Sequence, residues 1–374
     1  MTARRILLSA AALGLIASMF LPLGGGGLTV FASDPTVIAA LVICAGLLAA
    51  AALFGERAAL ALAALAGAGL ASMAIGLLRQ SDVAGQAGPG FWIIVVAAWI
   101  AWNEVVTNLT HLESRRRAVQ RLTGVAVPFL FGAFLFFLWE VLVRGFGVPP
   151  VLMPAPSAIA ARFLGSLPTL GADFVQTFFK SVLSGYLIGG ALGFFAAIVA
   201  DRIPFLRRGL LPLANFVAAL PIVGIAPIMV MWFGFDWQSK AAVVVIMTFF
   251  PMLVNTVAGL AAANRNELDL MRSYGASYGQ ILRKLRLPAA MPFIFNALKI
   301  NSSLALIGAI VAEFFGTPVV GMGFRISIEV ARMSLDMVWA EIALAAISGT
   351  VFYGVIALAE RATTFWHPSF RGQI

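Results

Sequence analysis

The sequence predicts an all-α integral membrane protein, and three observations support this class. Of its 374 residues, 61% are hydrophobic and only 11% are charged, whereas a soluble domain is about half apolar and about a quarter charged. The apolar residues form runs close to the length of a membrane-spanning helix, which needs about 20 residues. Glycine and proline are frequent inside these runs, as they are in membrane helices. The runs are apolar on all sides, which argues against the alternating strands of a membrane barrel.

Ten apolar runs are long enough to cross a bilayer, and we therefore predict about ten transmembrane helices. The runs lie at residues 6–24, 36–54, 58–78, 90–108, 125–143, 176–199, 209–233, 241–261, 291–312 and 338–358. The first run follows Arg4 and Arg5 and so resembles a signal peptide, but its length favours an uncleaved first span. Cys44 lies alone inside the second run, where it is expected to be a small apolar side chain.

The basic residues indicate the orientation of the spans. If the N-terminus is cytoplasmic, most of the 25 Lys and Arg residues fall in segments on the cytoplasmic side. This bias satisfies the positive-inside rule and predicts that both termini are cytoplasmic. The net charge of +9 is then a consequence of topology, and we do not expect the chain to bind nucleic acid.

A polar and basic segment at 111–124, HLESRRRAVQRLTG, divides the chain. We therefore predict a four-helix N-terminal extension at 1–110, this segment, and a six-helix region at 125–374. The segment has two interpretations: an interfacial helix lying on anionic lipid, or a cytoplasmic linker that fixes orientation. The spans before it are rich in Ala, Leu and Gly and nearly free of charge, which favours a structural role.

A second polar segment, residues 264–288, separates the eighth and ninth runs and begins with the pattern of a short helix. Asn264 suits the N-cap, with Glu267 three residues later as in a capping box. Glu267 and Asp269 lie in the first turns, where the helix dipole favours anions. Gly275 suits the helix end, because glycine takes the left-handed backbone conformation at little cost.

The same segment continues with a second short helix. Ser277 suits its N-cap and Gln280 stands at the matching position of a capping box, and Pro288 is expected to end the helix. Two capped helices joined by a tight turn predict a rigid projection on the cytoplasmic side. Its charged and apolar faces suit docking into a groove of a soluble partner, although an ordinary amphipathic surface pair has the same pattern.

The stretch DLMRSYGAS…LRLP resembles the coupling-loop signature of ABC importer permeases. Asp269, Gly275, Leu285, Leu287 and Pro288 fall at the spacings of that signature. The family has Glu where this chain has Asp269, and the two small residues that follow the acid in the family are replaced here by Leu and Met.

Three further stretches are similar to one subgroup of these permeases, which carries sulfonates, nitrate or bicarbonate, and pyrimidine or flavin vitamin precursors. They are VLMPAPSAI at 151–159, FVAALPIVGIAPIMVMWFGFDWQSK at 216–240 and VAEFFGTPVVGMGFRI at 311–326. The resemblance covers 125–374 and does not extend into 1–110.

The resemblance implies a multi-pass permease subunit of an ATP-driven importer in a bacterial cytoplasmic (inner) membrane. Two permease copies, expected here as a homodimer, enclose the substrate path in such importers, two ATPase subunits bind below, and an external binding protein delivers the solute. ATP and Mg²⁺ belong to the ATPase, and we expect no cofactor on this chain, which has no GxxxxGK[ST] loop. We therefore do not expect it to be an enzyme. The residues expected to couple the ATPase to the spans are Glu267, Asp269, Arg272, Gly275, Ala276, Ser277, Leu285, Leu287 and Pro288.

Polar groups inside the runs are candidates for the substrate path, because such groups usually face a cavity or a partner at membrane depth. These candidates are Lys180, Asn255, Lys299, Asn301, Ser302, Ser303 and Glu313. The charged ones lie near run ends, where snorkelling to the interface is the alternative. For Asn301, Ser302 and Ser303 the alternative is bonding between helices. Pro221 and Pro227 either open the seventh run to line a path or only kink it.

Two other classes of membrane protein fit the sequence less well. A polytopic enzyme needs clustered His, Cys or acidic residues, but His111 and His367 both lie outside the runs. An ion-coupled secondary transporter is expected to have repeated halves and carboxylates in mid-span, and neither is evident in the sequence.

The solute is less well defined by the sequence than the class of transporter. Lys180 and Lys299 favour an anion, whereas an aromatic run favours a ring compound. That run consists of Phe174, Phe178, Phe179 and Tyr186. Similarity to the subgroup at 299–332 ranks a vitamin-type heterocycle slightly ahead of a sulfonate or another small anion.

Overall fold

The computed structural model describes residues 2–25, 35–111, 117–218, 220–316 and 320–366, and the regular elements in these ranges are helices. The all-α class predicted from the apolar runs is therefore confirmed. The helices form two compact units, residues 1–160 and 161–374.

The first unit has five long helices around one core. They are α1 (Thr2–Ser18), α2 (Pro35–Leu53), α3 (Glu56–Leu77), α4 (Pro89–His111) and α5 (Arg117–Gly145). The core is filled by Leu and Ala with a few larger side chains, and every helix contributes to it. A short helix, α6 (Pro156–Gly165), follows α5.

Helix α5 packs on the helices that precede it. The indole Nε1 of Trp102 in α4 donates to the carbonyl of Leu130 in α5 at 3.0 Å. Two amides of the α3–α4 loop, Gly85 and Ala87, donate to the last carbonyls of α5, at 2.8 and 3.1 Å. The loop thereby satisfies acceptors that a helix end leaves unpaired.

The predicted segment 111–124 is only partly described, because residues 112–116 lie outside the described ranges. Residues 117–124 form the first turns of α5 rather than a separate interfacial helix. The division into 1–110 and 125–374 stays a prediction about chain organisation, since the compact first unit extends to Ala160.

The second unit contains the remaining helices. They are α7 (Leu167–Phe174), α8 (Ser184–Arg202), α9 (Pro204–Ala218), α10 (Ile222–Phe233), α11 (Trp237–Ala261), α12 (Arg265–Ser273), α13 (Tyr278–Ile281), α14 (Leu287–Glu313), α15 (Met322–Ala331) and α16 (Leu335–Thr363). The second unit has two ends, which are named from helix α14. The end where α14 begins is called the α12–α13 end, and the end where α14 finishes and α15 follows is called the α15 end.

Eight helices among the described residues are long and apolar enough to cross a membrane, and they match eight of the ten predicted runs. The run at 6–24 corresponds to α1, which ends at Ser18. The run at 209–233 corresponds to α9 and α10, which are separate helices with Pro221 as the N-cap of the second. A proline at this position lacks the N–H that a continuous helix would use.

Two of the eight helices are much longer than predicted, because π-helical turns join shorter pieces into continuous rods. Val175–Leu183 joins α7 to α8, and Leu282–Arg286 joins α13 to α14. The prediction that Pro288 ends the second short helix is therefore wrong. The proline lies in the first turn after the π-helical segment, where its missing N–H does not interrupt the rod.

Helices α8, α11 and α14 form the centre of the second unit. Glycines at four-residue spacing on α8 let its backbone approach α11 closely. A Cβ atom at Gly189 would lie 2.2 Å from the hydroxyl of Thr248, and one at Gly193 would lie 2.4 Å from the carbonyl of Phe249. Small residues at such contacts are typical of packed membrane helices.

Candidate coupling and transport site

The projection at 264–288 begins with a capped helix, as predicted. The Asn264 side chain accepts the amide of Asn266 at 3.0 Å, rather than forming the predicted box with Glu267. At the other end Gly275 has φ +70°, and its amide donates to Arg272 O at 2.9 Å while the amide of Ala276 donates to Met271 O at 3.0 Å. This pair of bonds is the Schellman motif, which closes the helix on a left-handed glycine.

The second helix of the projection starts with the predicted capping box. The Ser277 hydroxyl accepts the amide of Gln280, and the Gln280 side chain accepts the amide of Ser277 at 2.7 Å. The turn between the two helices is therefore fixed on both sides by caps. Because the second helix continues through the π-helical turn into α14, the projection and the spanning helix form one rod.

The surface of the projection is exposed and carries both charge and apolar area. Asp269 pairs with Arg272 at 3.3 Å, and both side chains are mostly exposed. The Tyr274 side chain is 84% exposed and Leu270, one turn earlier, is 57% exposed. Large exposed apolar side chains on a polar surface are typical of a protein contact. The sequence interpretation assigned no role to Tyr274, although an aromatic residue beside the glycine turn was a visible signal.

One carboxylate anchors the projection to the body of the second unit. Asp201, at the end of α8, accepts two bonds from the guanidinium of Arg286, at 2.6 and 2.8 Å. The Tyr278 hydroxyl donates to the same carboxylate at 3.2 Å, and the Arg286 Nε donates to Leu260 O at 2.9 Å. Arg202 lies over the Tyr278 ring, 4.4 Å from its centroid.

This anchor joins α8, α11 and the base of α14 at one point, and sequence reasoning missed it. Asp201 stands at the end of an apolar run with no local pattern that marks it, and its partner is 85 positions away in the sequence. Apolar contacts support the anchor, because Leu282 and Leu287 pack against a buried cluster that includes Leu260 and Ala290. Leu285 and Pro288 are half-buried.

At the α15 end, Glu313 and Asp173 are buried and hold the start of α15. Glu313 accepts the Thr177 hydroxyl at 2.8 Å and the amide of Gly323 at 2.7 Å. Asp173 accepts the amide of Gly321 at 2.7 Å and the guanidinium of Arg325 at 2.8 Å. This last hydrogen bond raises the pKa of Arg325 above its usual value.

The contacts of Glu313 are those of a helix N-cap and not of an open path. The first amides of a helix have no partner inside the helix, and carboxylates at that end are favoured by the helix dipole. A Cβ at Gly323 would lie 2.1 Å from the carbonyl of Ile310, so only glycine lets α15 start this close to α14. Asp173 and Thr177 were not among the predicted site residues.

Comparison with known proteins gives the family of this chain. Residues 189–365 match the model of the binding-protein-dependent transport system inner membrane component. The formylaminopyrimidine transport permease protein ThiX of Halalkalibacterium halodurans is 31% identical over 243 residues, which are 64% of this chain and 95% of that protein. The chain belongs to this permease family. The match includes α11 to α14, and with them the projection and its anchor.

Two further relatives are similar over nearly their whole length. The riboflavin transport system permease protein RibX of Chloroflexus aurantiacus is 28% identical over 265 residues, which are 70% of this chain and 98% of that protein. The putative aliphatic sulfonates transport permease protein SsuC of Bacillus subtilis is 26% identical over 267 residues, 70% of this chain and 96% of that protein. Each relative therefore leaves about a third of this permease unmatched.

Within this permease, most of the predicted path residues bond to neighbouring helices. Lys299 pairs with Glu360 of α16 at 2.7 Å. Asn301 donates to Thr248 O of α11 at 2.8 Å, and Ser302 bonds back to its own helix. The Asn301 contact follows the alternative interpretation of bonding between helices. Lys299, for which snorkelling was the alternative, instead forms an ion pair with another helix.

The other neutral candidates are less buried. Asn255 donates to Pro251 O at 2.8 Å and accepts from Asn296 at 3.3 Å. Ser303 is exposed on α14. Ser303 is therefore the more accessible of the two side chains, and it is available to a molecule that contacts that face of α14.

Lys180 is exposed and lines a cavity of about 650 Å³. The cavity lies between the π-helical segment, the start of α11 and the residues just before α15, and Gln176 and Asp236 also line it. A second cavity, of about 550 Å³, is lined by Trp232, Phe233 and other side chains of α8, α10 and α11.

The aromatic run that favoured a ring compound is largely packed inside the unit. Phe174 and Phe178 stack on each other with ring centroids 5.1 Å apart. Phe178 and Tyr186 each contact Phe352 of α16, at 5.3 and 4.8 Å. These rings stabilise the contact between helices, and Phe179 is the exposed member of the run.

Proposed function

We propose that this chain is the permease subunit of an ATP-driven importer that takes a small organic solute from an external binding protein into the cytoplasm. Membership in a binding-protein-dependent transport family supports the binding protein and the ATPase as partners. The observation that carries the proposal is the projection: an exposed pair of capped helices, anchored by Asp201 and continuous with the spanning helix α14.

A continuous rod gives the projection a mechanical function. When two docked ATPase subunits close on ATP and Mg²⁺, a rigid α12–α13 pair passes that displacement to α14 without bending at the turn. The helices then move between inward-open and outward-open arrangements, as in other alternating-access transporters. In this proposal the α12–α13 end is cytoplasmic, the α15 end is external, and both termini are cytoplasmic, in a bacterial inner membrane.

The substrate path in this proposal lies between two copies of the chain. The solutes named for the relatives are riboflavin, formylaminopyrimidine and aliphatic sulfonates. Together they support a small organic molecule, either a ring compound of the vitamin-precursor kind, which the sequence ranked first, or a small acid.

Two variants test the proposal in proteoliposomes that contain the permease and the ATPase. Asp269→Lys reverses a charge on the exposed face of α12 and is expected to lower co-purification of the ATPase, while Ser303→Ala, away from the projection, leaves it unchanged. Purification of the wild-type chain without any ATPase from native membranes would overturn the proposal.

Reporter fusions test the proposed orientation. A fusion after Arg121 is expected to give a cytoplasmic signal, and a fusion after Asp34 is expected to give an external signal.

A further inference from the structure

Apart from Lys284 on the projection, three lysines lie on the membrane-spanning helices of the second unit, and they differ in what their ammonium groups contact. Lys240 is buried and donates to two backbone carbonyls at the start of α11, at 2.6 and 3.2 Å. Lys299 is paired with Glu360. Among the described residues, the ammonium of Lys180 has neither an acceptor within hydrogen-bond distance nor an ion-pair partner, and the side chain is exposed.

Lys180 lies about one helical turn inside the level at which α11 starts. It belongs to the continuous rod Leu167–Arg202 and follows Gln176 by four residues, which is about 6 Å of rise along the axis. Gln176 is bonded to Asp236, the residue that caps the start of α11. An ionisable group inside a spanning helix usually faces a cavity or a partner, and the side chain of Lys180 lines a cavity.

The cavity beside Lys180 has the composition of a binding site for a small polar molecule. Lys180 is its cationic wall, Val175 and Val320 are apolar, and Gln176 and Asp236 are polar. The Gln176 amide donates to Asp236 Oδ1 at 3.2 Å, and Asp236 also caps α11 through the same oxygen. These bonds fix the carboxylate and leave its second oxygen as an acceptor.

We propose that this cavity is an acid-recognition subsite of the substrate path. Lys180 binds the sulfonate, carboxylate or phosphate group of the solute, and Asp236 accepts an N–H or O–H of the same molecule. A lysine ammonium is a compact charge that binds such groups without a fixed geometry, and a volume of about 650 Å³ is within the range of small-molecule sites. The inference rests on the proposed function and narrows the solute from any small organic molecule to an organic acid.

The first test measures how fast Lys180 reacts with a small acetylating reagent in the full permease–ATPase complex in nanodiscs. Mass spectrometry follows Lys180 and, as an internal control, Lys284 on the projection. Methanesulfonate is expected to slow acetylation of Lys180 several-fold and to leave Lys284 unchanged, whereas the uncharged dimethyl sulfone of similar shape has no effect. Equal acetylation of Lys180 with and without methanesulfonate, or equal protection by the sulfone, would overturn the subsite.

The second test separates binding of the acid from a general effect of charge. Methanesulfonate is expected to raise the unfolding temperature of the wild type and of Lys180→Arg, because a ligand that binds only the folded state stabilises it. Lys180→Gln is expected to weaken this effect about tenfold in concentration, equivalent to about 1.4 kcal/mol. Arg79→Gln, which removes an exposed charge of the first unit, is the matched control. An unchanged response in Lys180→Gln contradicts the assignment.

These tests fail independently of the proposed function. Both readouts need only the folded complex and no transport, and co-purification of the ATPase is scored in the same preparations. If the wild type does not bind methanesulfonate but retains the ATPase, the subsite alone is rejected, whereas absence of the ATPase rejects the importer.

Discussion

The two ends of the second unit use carboxylates in different ways. At the α15 end, Asp173 and Glu313 are buried and accept backbone amides, so that several hydrogen bonds together hold the start of one short helix. At the α12–α13 end the side chains are mostly exposed, and one carboxylate, that of Asp201, anchors the projection through Arg286 and Tyr278, with apolar contacts beside it. Two buried carboxylates therefore hold the α15 end through backbone amides, whereas one carboxylate anchors the projection through side chains.

This difference fits the tasks of the two ends in the proposed importer. A buried junction such as the α15 end, where two carboxylates accept backbone amides, keeps the start of a helix in place. A projection that binds a partner protein and transmits its motion needs an exposed surface and a rigid connection to the spanning helix. The capped turn and the Asp201 anchor supply this rigidity. Variants at the anchor are therefore expected to affect stability and coupling together, whereas variants on the exposed surface are expected to weaken binding of the ATPase with little change in stability.

The largest effect is expected from Asp201→Asn, which removes the charge from the anchor. Arg286 then remains partly buried without its counter-ion, and losing one partner of a buried pair typically costs about 3–5 kcal/mol. Unfolding of the permease in nanodiscs and ATP-driven uptake measure the two consequences. Asp269→Asn is the matched control, since an exposed pair contributes less than about 1 kcal/mol. Similar stability of the two variants would contradict the idea of a single anchor.

The next effect is expected from Gly323→Ala at the α15 end. The added Cβ would lie 2.1 Å from Ile310 O, so the start of α15 has to shift, at a cost of roughly 2–3 kcal/mol. Gly279→Ala, which has open space around it, is the control and is expected to be neutral or slightly stabilising. Unfolding curves of both variants check this, and a wild-type midpoint for Gly323→Ala would show that α14 and α15 separate easily.

A smaller loss of stability but a clear functional effect is expected from Gly275→Val. The residue has φ +70° with nothing near its Cβ position, so the cost is conformational and about 1–2 kcal/mol. The ATPase is expected to stay bound while uptake per ATP hydrolysed falls, because the turn redirects the second helix. Gly275→Asn tolerates this conformation better and is expected to keep coupling. Wild-type coupling in the Val variant would make the turn a mere connector.

The smallest effect on stability is expected from Tyr274→Ala, because the side chain is 84% exposed. Its ring has little to lose in the isolated chain, so unfolding should be unchanged. Affinity for the ATPase is expected to fall, since exposed aromatic residues often dominate protein contacts. Co-purification and titration with the ATPase measure this, with Tyr353→Ala on α16 as the control. Unaltered affinity would remove Tyr274 from the docking surface.

The projection shows how much local sequence can predict. The Asn264 cap, the left-handed Gly275 and the Ser277–Gln280 box are all present as expected, because each depends on residues within a few positions. The apolar runs likewise predicted eight of the spanning helices, since a long apolar segment has few stable alternatives in a bilayer. The functional roles of the coupling residues stay a prediction.

Tertiary structure decided the partners of the buried polar groups. The sequence marks Lys180, Lys299 and Glu313 alike as ionisable residues in apolar runs, yet Lys299 meets Glu360, Glu313 meets the start of α15, and Lys180 meets a cavity. Which neighbour each group finds depends on the register of helices far apart in sequence. The same holds for Pro288, where a π-helical turn continued a helix that the local pattern predicted to end.

The sequence by itself therefore determined the class, the spans and the capped turn of the projection, because these follow from local hydrophobicity and local hydrogen bonds. Only the tertiary structure decided that the projection is one rod with α14, that Asp201 anchors it, and that Lys180 lines a cavity. The anchor joins residues 85 positions apart, Asp201 and Arg286, and the α15 end joins residues up to 152 positions apart, Asp173 and Arg325. Packing of whole helices brings such residues together.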